Sequence, residues 1–128
     1  PSVISTEKIG MRFDTNVSNN LPISFKVFKT QEEINIGEVS NIKFAINNQS
    51  NEQLNIVSTF NVSPPSVGKY FNKLECFCFE KQSLNSFDNN EYVLSYFIDP
   101  EILNDNATKN VKDITLSYTL FEVDKFKK

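Results

Sequence analysis

The sequence contains no histidine, and this absence excludes several kinds of functional site. Ser-His-Asp catalysis, Cys-His catalysis and His-ligated zinc all require an imidazole. No uninterrupted apolar run approaches the roughly 20 residues that a membrane-spanning helix needs. The chain has 13 basic and 16 acidic side chains, with Arg12 as its single arginine, so a nucleic-acid-binding surface is not expected.

Sulfur-containing side chains are scarce as well, with two cysteines and one methionine in 128 residues. Two cysteines cannot supply a disulfide framework, but a chain of this length does not need one. It can bury roughly two-thirds of the surface that its unfolded form exposes. We therefore expect residues 1–128 to form a single domain, frayed at Pro1–Lys8 and Lys125–Lys128.

The composition and the hydrophobic pattern both favour β-strands. Phenylalanine occurs 12 times, and strong helix formers are few. Apolar and polar residues alternate with a period of two, which is typical of strands with one buried face. The alternation is clearest in Ile23–Phe28, Ile42–Asn47 and Ile114–Phe121, and weaker in Ile34–Ile36, Leu54–Val62, Tyr70–Phe79 and Tyr92–Ile98. About seven strands joined by polar turns predict an all-β, antiparallel sandwich, with a helical turn within Pro100–Asn110.

The two cysteines occur together as Cys76-Phe77-Cys78, followed by Phe79. In an extended strand, residues two apart project from the same face. Both thiols would then lie on one face of the strand and both phenylalanine rings on the other. The sequence therefore predicts a pair of thiols presented together.

Three interpretations of this pair remain open from the residues alone. Both cysteines could be small buried hydrophobic side chains. They could form a strained disulfide or redox pair, since Cα atoms two residues apart in a strand are roughly 6.5 Å apart, near the upper limit for bridging. They could also bind a soft metal, and two thiolates without an imidazole suit Cu(I) better than zinc.

The residues around Cys76 and Cys78 carry a resemblance to a known family. The ordered series is Arg12-Phe13, Leu21-Pro22, Asn61–Pro64, Gly68–Leu74, Cys76–Glu80, Asp99-Pro100 and Leu116–Thr119. Over nearly its whole length, the chain resembles the soluble domain of the CtaG-type cytochrome c oxidase assembly proteins. These are copper chaperones for the copper B site of oxidase subunit I.

The resemblance implies an immunoglobulin-like sandwich in which Cys76 and Cys78 are the Cu(I) ligands. It also implies an N-terminal membrane helix outside this sequence, and copper-linked formation of a homodimer. The domain would face the bacterial periplasm, where the anchor lies in the inner membrane, or the mitochondrial intermembrane space. It would receive Cu(I) from an upstream donor protein and deliver it to subunit I, without being an enzyme.

Some positions depart from the pattern of that family. The family usually has a methionine where this chain has Tyr92, and a phenol is a poor ligand for Cu(I). Met11 is the only thioether in the chain, and nothing in the sequence places it near the cysteines. Two other functions therefore remain alternatives: a thiol–disulfide oxidoreductase that uses the Cys-Phe-Cys pair, and a non-catalytic β-sandwich interaction module.

Overall fold

The computed structural model describes residues 4–18, 20–75 and 82–123 of the chain. These residues form nine strands and two short 3₁₀ turns. The strands are β1 (Lys8–Val17), β2 (Ile23–Val27), β3 (Gln31–Asn35), β4 (Ser40–Asn48), β5 (Leu54–Ser63), β6 (Phe71–Glu75), β7 (Gln82–Leu84), β8 (Asn89–Ile98) and β9 (Asp113–Glu122). The turns are η1 (Pro65–Tyr70) and η2 (Pro100–Asn104). Among the described residues, no helix is long and apolar enough to cross a membrane.

The strands form two sheets packed face to face. One sheet has the strand order β3-β1-β9-β5-β7, and the other has the order β2-β4-β8-β6. Neighbouring strands are antiparallel, except that β1 runs parallel to β9. The predicted all-β, immunoglobulin-like sandwich is therefore confirmed. Nine strands are described where about seven were predicted, and the expectation of purely antiparallel pairing is wrong for β1 and β9.

The core lies between the sheets and consists of the apolar side chains that alternate along the strands. Every second residue of β9 from Ile114 to Leu120 is fully buried, as the period of two predicted. The same holds for Ile42, Phe44 and Ile46 on β4. The inward faces thus form one continuous hydrophobic cluster, which is the largest source of stability in a fold of this kind.

Two strands were missed from the sequence. β1 begins at Lys8, and the Ser5 N–H donates to the Ile36 carbonyl over 2.8 Å, so backbone pairing starts within the stretch predicted to fray. β7 is only three residues long, which is too short for a periodic pattern. The predicted helical turn after Asp99 is confirmed, because η2 begins there with the Asp99 side chain accepting a hydrogen bond from the Glu101 N–H.

Candidate metal-binding site

The predicted site residues, Cys76 and Cys78, lie outside the described residues, in the segment 76–81. The structure does describe the backbone at both ends of this segment. β6 ends at Glu75 and β7 begins at Gln82. The strands β6 and β7 therefore define the structural surroundings of the candidate site.

The two ends belong to different sheets. β6 is an edge strand of the four-stranded sheet, and β7 is an edge strand of the five-stranded sheet. The chain therefore passes from one sheet to the other between Glu75 and Gln82. Of the predicted strand Tyr70–Phe79, the part Phe71–Glu75 is confirmed, Tyr70 belongs to η1, and the rest lies outside the described residues.

β6 is attached to the sandwich by an aromatic side chain on its inner face. Phe71 is buried and stacks on Tyr96 of β8, with 5.3 Å between the ring centroids and an interplanar angle of 27°. It also contacts Phe60 of β5 in the opposite sheet, at 6.2 Å. Ring pairs at these separations stabilise a fold beyond the area that they bury.

Lys73 makes a second contact between β6 and the opposite sheet. Its Nζ lies 4.0 Å from the centroid of the Phe60 ring. Partial burial there lowers the pKa of Lys73, because removal from water disfavours the charged ammonium. A register shift between Lys73 and Glu75 interrupts the pairing of β6 with β8 immediately before the cysteine segment.

Tyr96, on which Phe71 stacks, is held in turn by a carboxylate. Its hydroxyl donates a 2.7 Å hydrogen bond to Oε2 of Glu32, which also accepts a 2.6 Å bond from the Ser40 hydroxyl. Burial and the neighbouring Glu32 carboxylate raise the pKa of Tyr96 well above its ordinary value. Because Glu32 lies on β3 and Tyr96 on β8, this bond joins the two sheets.

Tyr92 lies beside the other end of the cysteine segment. It is half-buried on β8, and its hydroxyl is close enough to the side chains of Gln82 and Asn90 for their hydrogen bonds to influence its pKa. Burial has the larger effect and raises the pKa of Tyr92, so the phenol stays protonated at neutral pH. Tyr92 therefore lies beside Gln82, the first described residue after 76–81.

Met11 is a core residue and lies far from Gln82. It is 1% exposed on β1, where it pairs with Ile114 of β9. Gln82 pairs with Ile56, which in turn pairs with Glu122 at the other end of β9. The eight residues of β9 between these two pairs separate Met11 from Gln82 by roughly 26 Å along the strand direction, at about 3.3 Å per residue, and β9 and β5 lie between their strands.

Sequence reasoning found the cysteines but missed the residues that hold the ends of their segment. Within residues 4–18, 20–75 and 82–123, no group of three or more Asp, Glu, Cys or His side chains could bind a metal. The contacts that matter there involve Phe60, Lys73 and Gln82. Nothing in the local pattern marks them, since Phe60 reads as an ordinary inward residue of β5 and becomes notable only through its contact across the sheets.

Comparison with known proteins agrees with the resemblance predicted from the motifs. A family model described as cytochrome c oxidase assembly protein CtaG/Cox11 matches residues 2–122. The chain is 42% identical over 124 residues to cytochrome c oxidase assembly protein CtaG of Brucella ovis, which covers 97% of this chain and 62% of that protein. The protein of the same name from Brucella canis is 43% identical over 122 residues, covering 95% of this chain and 61% of that protein.

A more distant relative matches over a similar range. Cytochrome c oxidase assembly protein CtaG of Paracoccus denitrificans is 37% identical over 118 residues, covering 92% of this chain and 60% of that protein. The chain thus spans about three-fifths of the length of these curated relatives. On the match of the family model and on these identities, the chain belongs to the CtaG/Cox11 family of cytochrome c oxidase assembly proteins.

Proposed function

We propose that this protein takes part in the assembly of cytochrome c oxidase by binding Cu(I) through Cys76 and Cys78. It delivers the ion to the copper B site of oxidase subunit I and is not an enzyme. The observation that carries the proposal is the Cys76-Phe77-Cys78 pair inside a family match that runs from residue 2 to residue 122. The names of the relatives, which refer to cytochrome c oxidase assembly, support a role in that process.

The donor set suits a soft ion. Thiolates select Cu(I), and a chain without histidine has no imidazole with which to complete a zinc site. The strands that flank the cysteines support access by a partner, because β6 and β7 are both edge strands of their sheets. Tyr92, beside Gln82, offers only a protonated phenol, so we assign the binding of copper to the two thiolates.

Transfer proceeds by exchange of ligands. A thiolate of the upstream donor is displaced when Cys76 or Cys78 attacks the bound Cu(I). The second cysteine then replaces the next donor ligand, and the reverse sequence passes the ion to subunit I. Each thiol that binds releases one proton, each displaced thiolate takes one up, and copper remains Cu(I) throughout.

The setting that we propose follows from the same role. A membrane helix outside this sequence would hold the domain at the inner membrane, facing the periplasm or the mitochondrial intermembrane space. Two copies of the domain would associate when copper binds. In an oxidising compartment Cys76 and Cys78 must be kept reduced to remain ligands, so a dithiol reductant is also required.

Anaerobic titration with Cu(I) against a competing chelator tests the proposal. Wild type is expected to retain copper, at most about one ion per cysteine pair, because Cu(I) accepts as few as two thiolate ligands. Cys76→Ser and Cys78→Ser should each abolish retention, since a single thiolate cannot hold the ion against the chelator. Ser83→Ala, which changes an exposed hydroxyl on β7, serves as the matched control and should bind as wild type does.

Three outcomes would reject the copper assignment. If both cysteine variants retain copper like wild type, the ligands have been assigned wrongly. If wild type binds no copper but catalyses thiol–disulfide exchange on an unrelated substrate, the protein is an oxidoreductase. If it does neither, the interaction-module alternative stands.

A further inference from the structure

One edge of β1 is paired with a neighbouring strand over only part of its length. β3 pairs with β1 from Lys8 to Arg12, and the Phe13 N–H then donates a 2.9 Å bond to the Thr30 carbonyl. On its other side, β1 stays paired with β9 as far as Val17. Among the described residues, no strand pairs with residues 14–17 of β1 on the side of β3.

The backbone groups of Thr15 and Val17 face this unpaired side. Along a strand, the N–H and C=O groups of successive residues point alternately to the two sides. Gly10 and Ser18 donate their N–H groups to carbonyls in or next to β9, whereas Phe13 donates to the side of β3. Thr15 and Val17 follow Phe13 at intervals of two residues, so their N–H and C=O groups also point away from β9. Within residues 4–18, 20–75 and 82–123, no strand accepts or donates hydrogen bonds there.

A groove of about 390 Å³ lies beside this edge, between β1 and β2. Phe13 and Val27 line it and pack against the core, so part of its surface is apolar. Asp14 and Lys26 also line it and are exposed, and neither forms an ion pair with a described residue. The groove therefore combines an unpaired strand edge with an apolar surface and one charge of each sign.

We propose that this groove binds an extended segment of a partner protein, which adds to the five-stranded sheet as a strand beside Thr15 and Val17. An extended main chain matches backbone donors and acceptors that recur every second residue, and its alternate side chains give specificity. The added strand runs antiparallel to β1, because it continues the row that β3 occupies and because antiparallel pairing is the more stable. The proposal goes beyond copper binding and does not depend on it.

The side chains beside the edge define the segment that fits. Thr15 and Val17 lie on the inner face of β1, so the residues opposite them should be apolar and pack towards Val27. Asp14 lies on the outer face, and the residue opposite it should be basic, since opposite charges on neighbouring strands attract. Lys26 favours an acidic residue in the same segment. An antiparallel Glu-Val-Thr-Val-Lys segment meets these requirements, with its lysine opposite Asp14.

Titration of the isotope-labelled chain with the peptide Glu-Val-Thr-Val-Lys, acetylated and amidated at its ends, tests the proposal by NMR. The amide signals of Thr15 and Val17 should shift saturably. Hydrogen exchange at these amides should be fast in the free protein and slower with the peptide bound. The matched peptide Lys-Val-Thr-Val-Glu places a glutamate opposite Asp14, and it should bind about threefold more weakly, the factor expected for loss of one cross-strand charge pair.

Two variants of the chain change the edge and the charge separately. Thr15→Pro removes an N–H that faces the groove and leaves the bonds to β9 intact, so the chain should fold and lose peptide binding. Asp14→Lys should reverse the preference, so that Lys-Val-Thr-Val-Glu binds about threefold more tightly than Glu-Val-Thr-Val-Lys. Glu33→Lys is the matched control, because Glu33 is exposed on β3 outside the groove, and both affinities should stay at the wild-type level.

The proposal is refuted if neither peptide shifts the Thr15 and Val17 amides, or if Thr15→Pro folds and binds as wild type does. Should Thr15→Pro not fold, the Asp14→Lys variant decides, and an unreversed preference refutes the proposal. Shifts of the same amides with protein concentration alone would also overturn it, because the groove would then be an interface between two copies of this chain. A wild-type chain that binds the peptide but no Cu(I) would reject the proposed copper function and support the groove.

Discussion

Replacement of Tyr96 by phenylalanine would remove one hydroxyl and leave the stacked ring in place. That hydroxyl is fully buried and donates a 2.7 Å bond to the Glu32 carboxylate, whose side chain is only 10% exposed. In Tyr96→Phe, Oε2 of Glu32 keeps the hydroxyl of Ser40 as a donor. Lys29 remains 3.8 Å from the other carboxylate oxygen. The carboxylate therefore loses one of its two close donors while it stays largely buried.

The expected loss of stability can be estimated from these contacts. A hydrogen bond to a charged group contributes about 1.5–3 kcal/mol when its partner stays buried. For a domain of this size, each kcal/mol lowers the melting temperature by roughly 4 °C, so Tyr96→Phe should melt about 6–12 °C below wild type. Urea unfolding followed by far-UV circular dichroism should give the same loss at constant slope, because the surface exposed on unfolding is unchanged.

A second tyrosine provides the control. Tyr70 also donates a 2.7 Å bond to a carboxylate, that of Asp105, which is more exposed to solvent than Glu32. Tyr70→Phe should therefore change the melting temperature much less than Tyr96→Phe. Equal shifts for the two variants would refute the reasoning, since it attributes the effect at Tyr96 to the burial of its partner and not to the bond alone.

Three further predictions concern pH, a buried amide and Tyr92. Burial raises the pKa of Tyr96 and Tyr118 above that of an unfolded tyrosine, near 10, so their contribution is complete below about pH 10 and is lost as pH rises further. The unfolding free energy should fall above pH 10, less steeply in Tyr96→Phe, and an equal fall in both proteins would contradict this. Asn48 is fully buried, and its side-chain amide donates to the carbonyls of Glu52, Leu84 and Asn85. Asn48→Ala should therefore lower the unfolding free energy by about 2–4 kcal/mol in urea titrations. A loss below about 1 kcal/mol would count against the contribution of these hydrogen bonds. Tyr92→Met should strengthen Cu(I) retention against a chelator, because a thioether replaces a protonated phenol beside Gln82. Unchanged retention would show that the side chain at position 92 does not reach the copper.

The layered β-fold was predictable because the alternation of buried and exposed residues is a local property of the sequence. Ile42, Phe44 and Ile46 show it plainly, and all three are buried. β1 carries the same signal, since Ile9 and Met11 alternate with polar or small residues, but no strand was predicted between the frayed end Pro1–Lys8 and Ile23. Its parallel pairing with β9 depends on contacts distant in sequence, which no local pattern encodes.

For the candidate site, too, the features set by neighbouring residues were predictable and those set by contacts distant in sequence were not. The cysteine pair and its family could be identified from short motifs, because those residues are neighbours in the sequence. The contact between Lys73 of β6 and Phe60 could not be predicted, because these two residues are brought together only by the packing of two sheets. The same applies to Tyr92 and Gln82, which lie on different sheets and meet beside one end of the segment.

X-ray absorption at the copper edge, on protein loaded anaerobically with Cu(I), tests the central claim most directly. The account predicts a reduced copper ion with sulfur as the only close ligand type, contributed by Cys76 and Cys78. Cys76→Ser and Cys78→Ser should both lose this signal. A copper shell made mainly of nitrogen or oxygen ligands, or a sulfur shell that persists in both variants, would contradict the account.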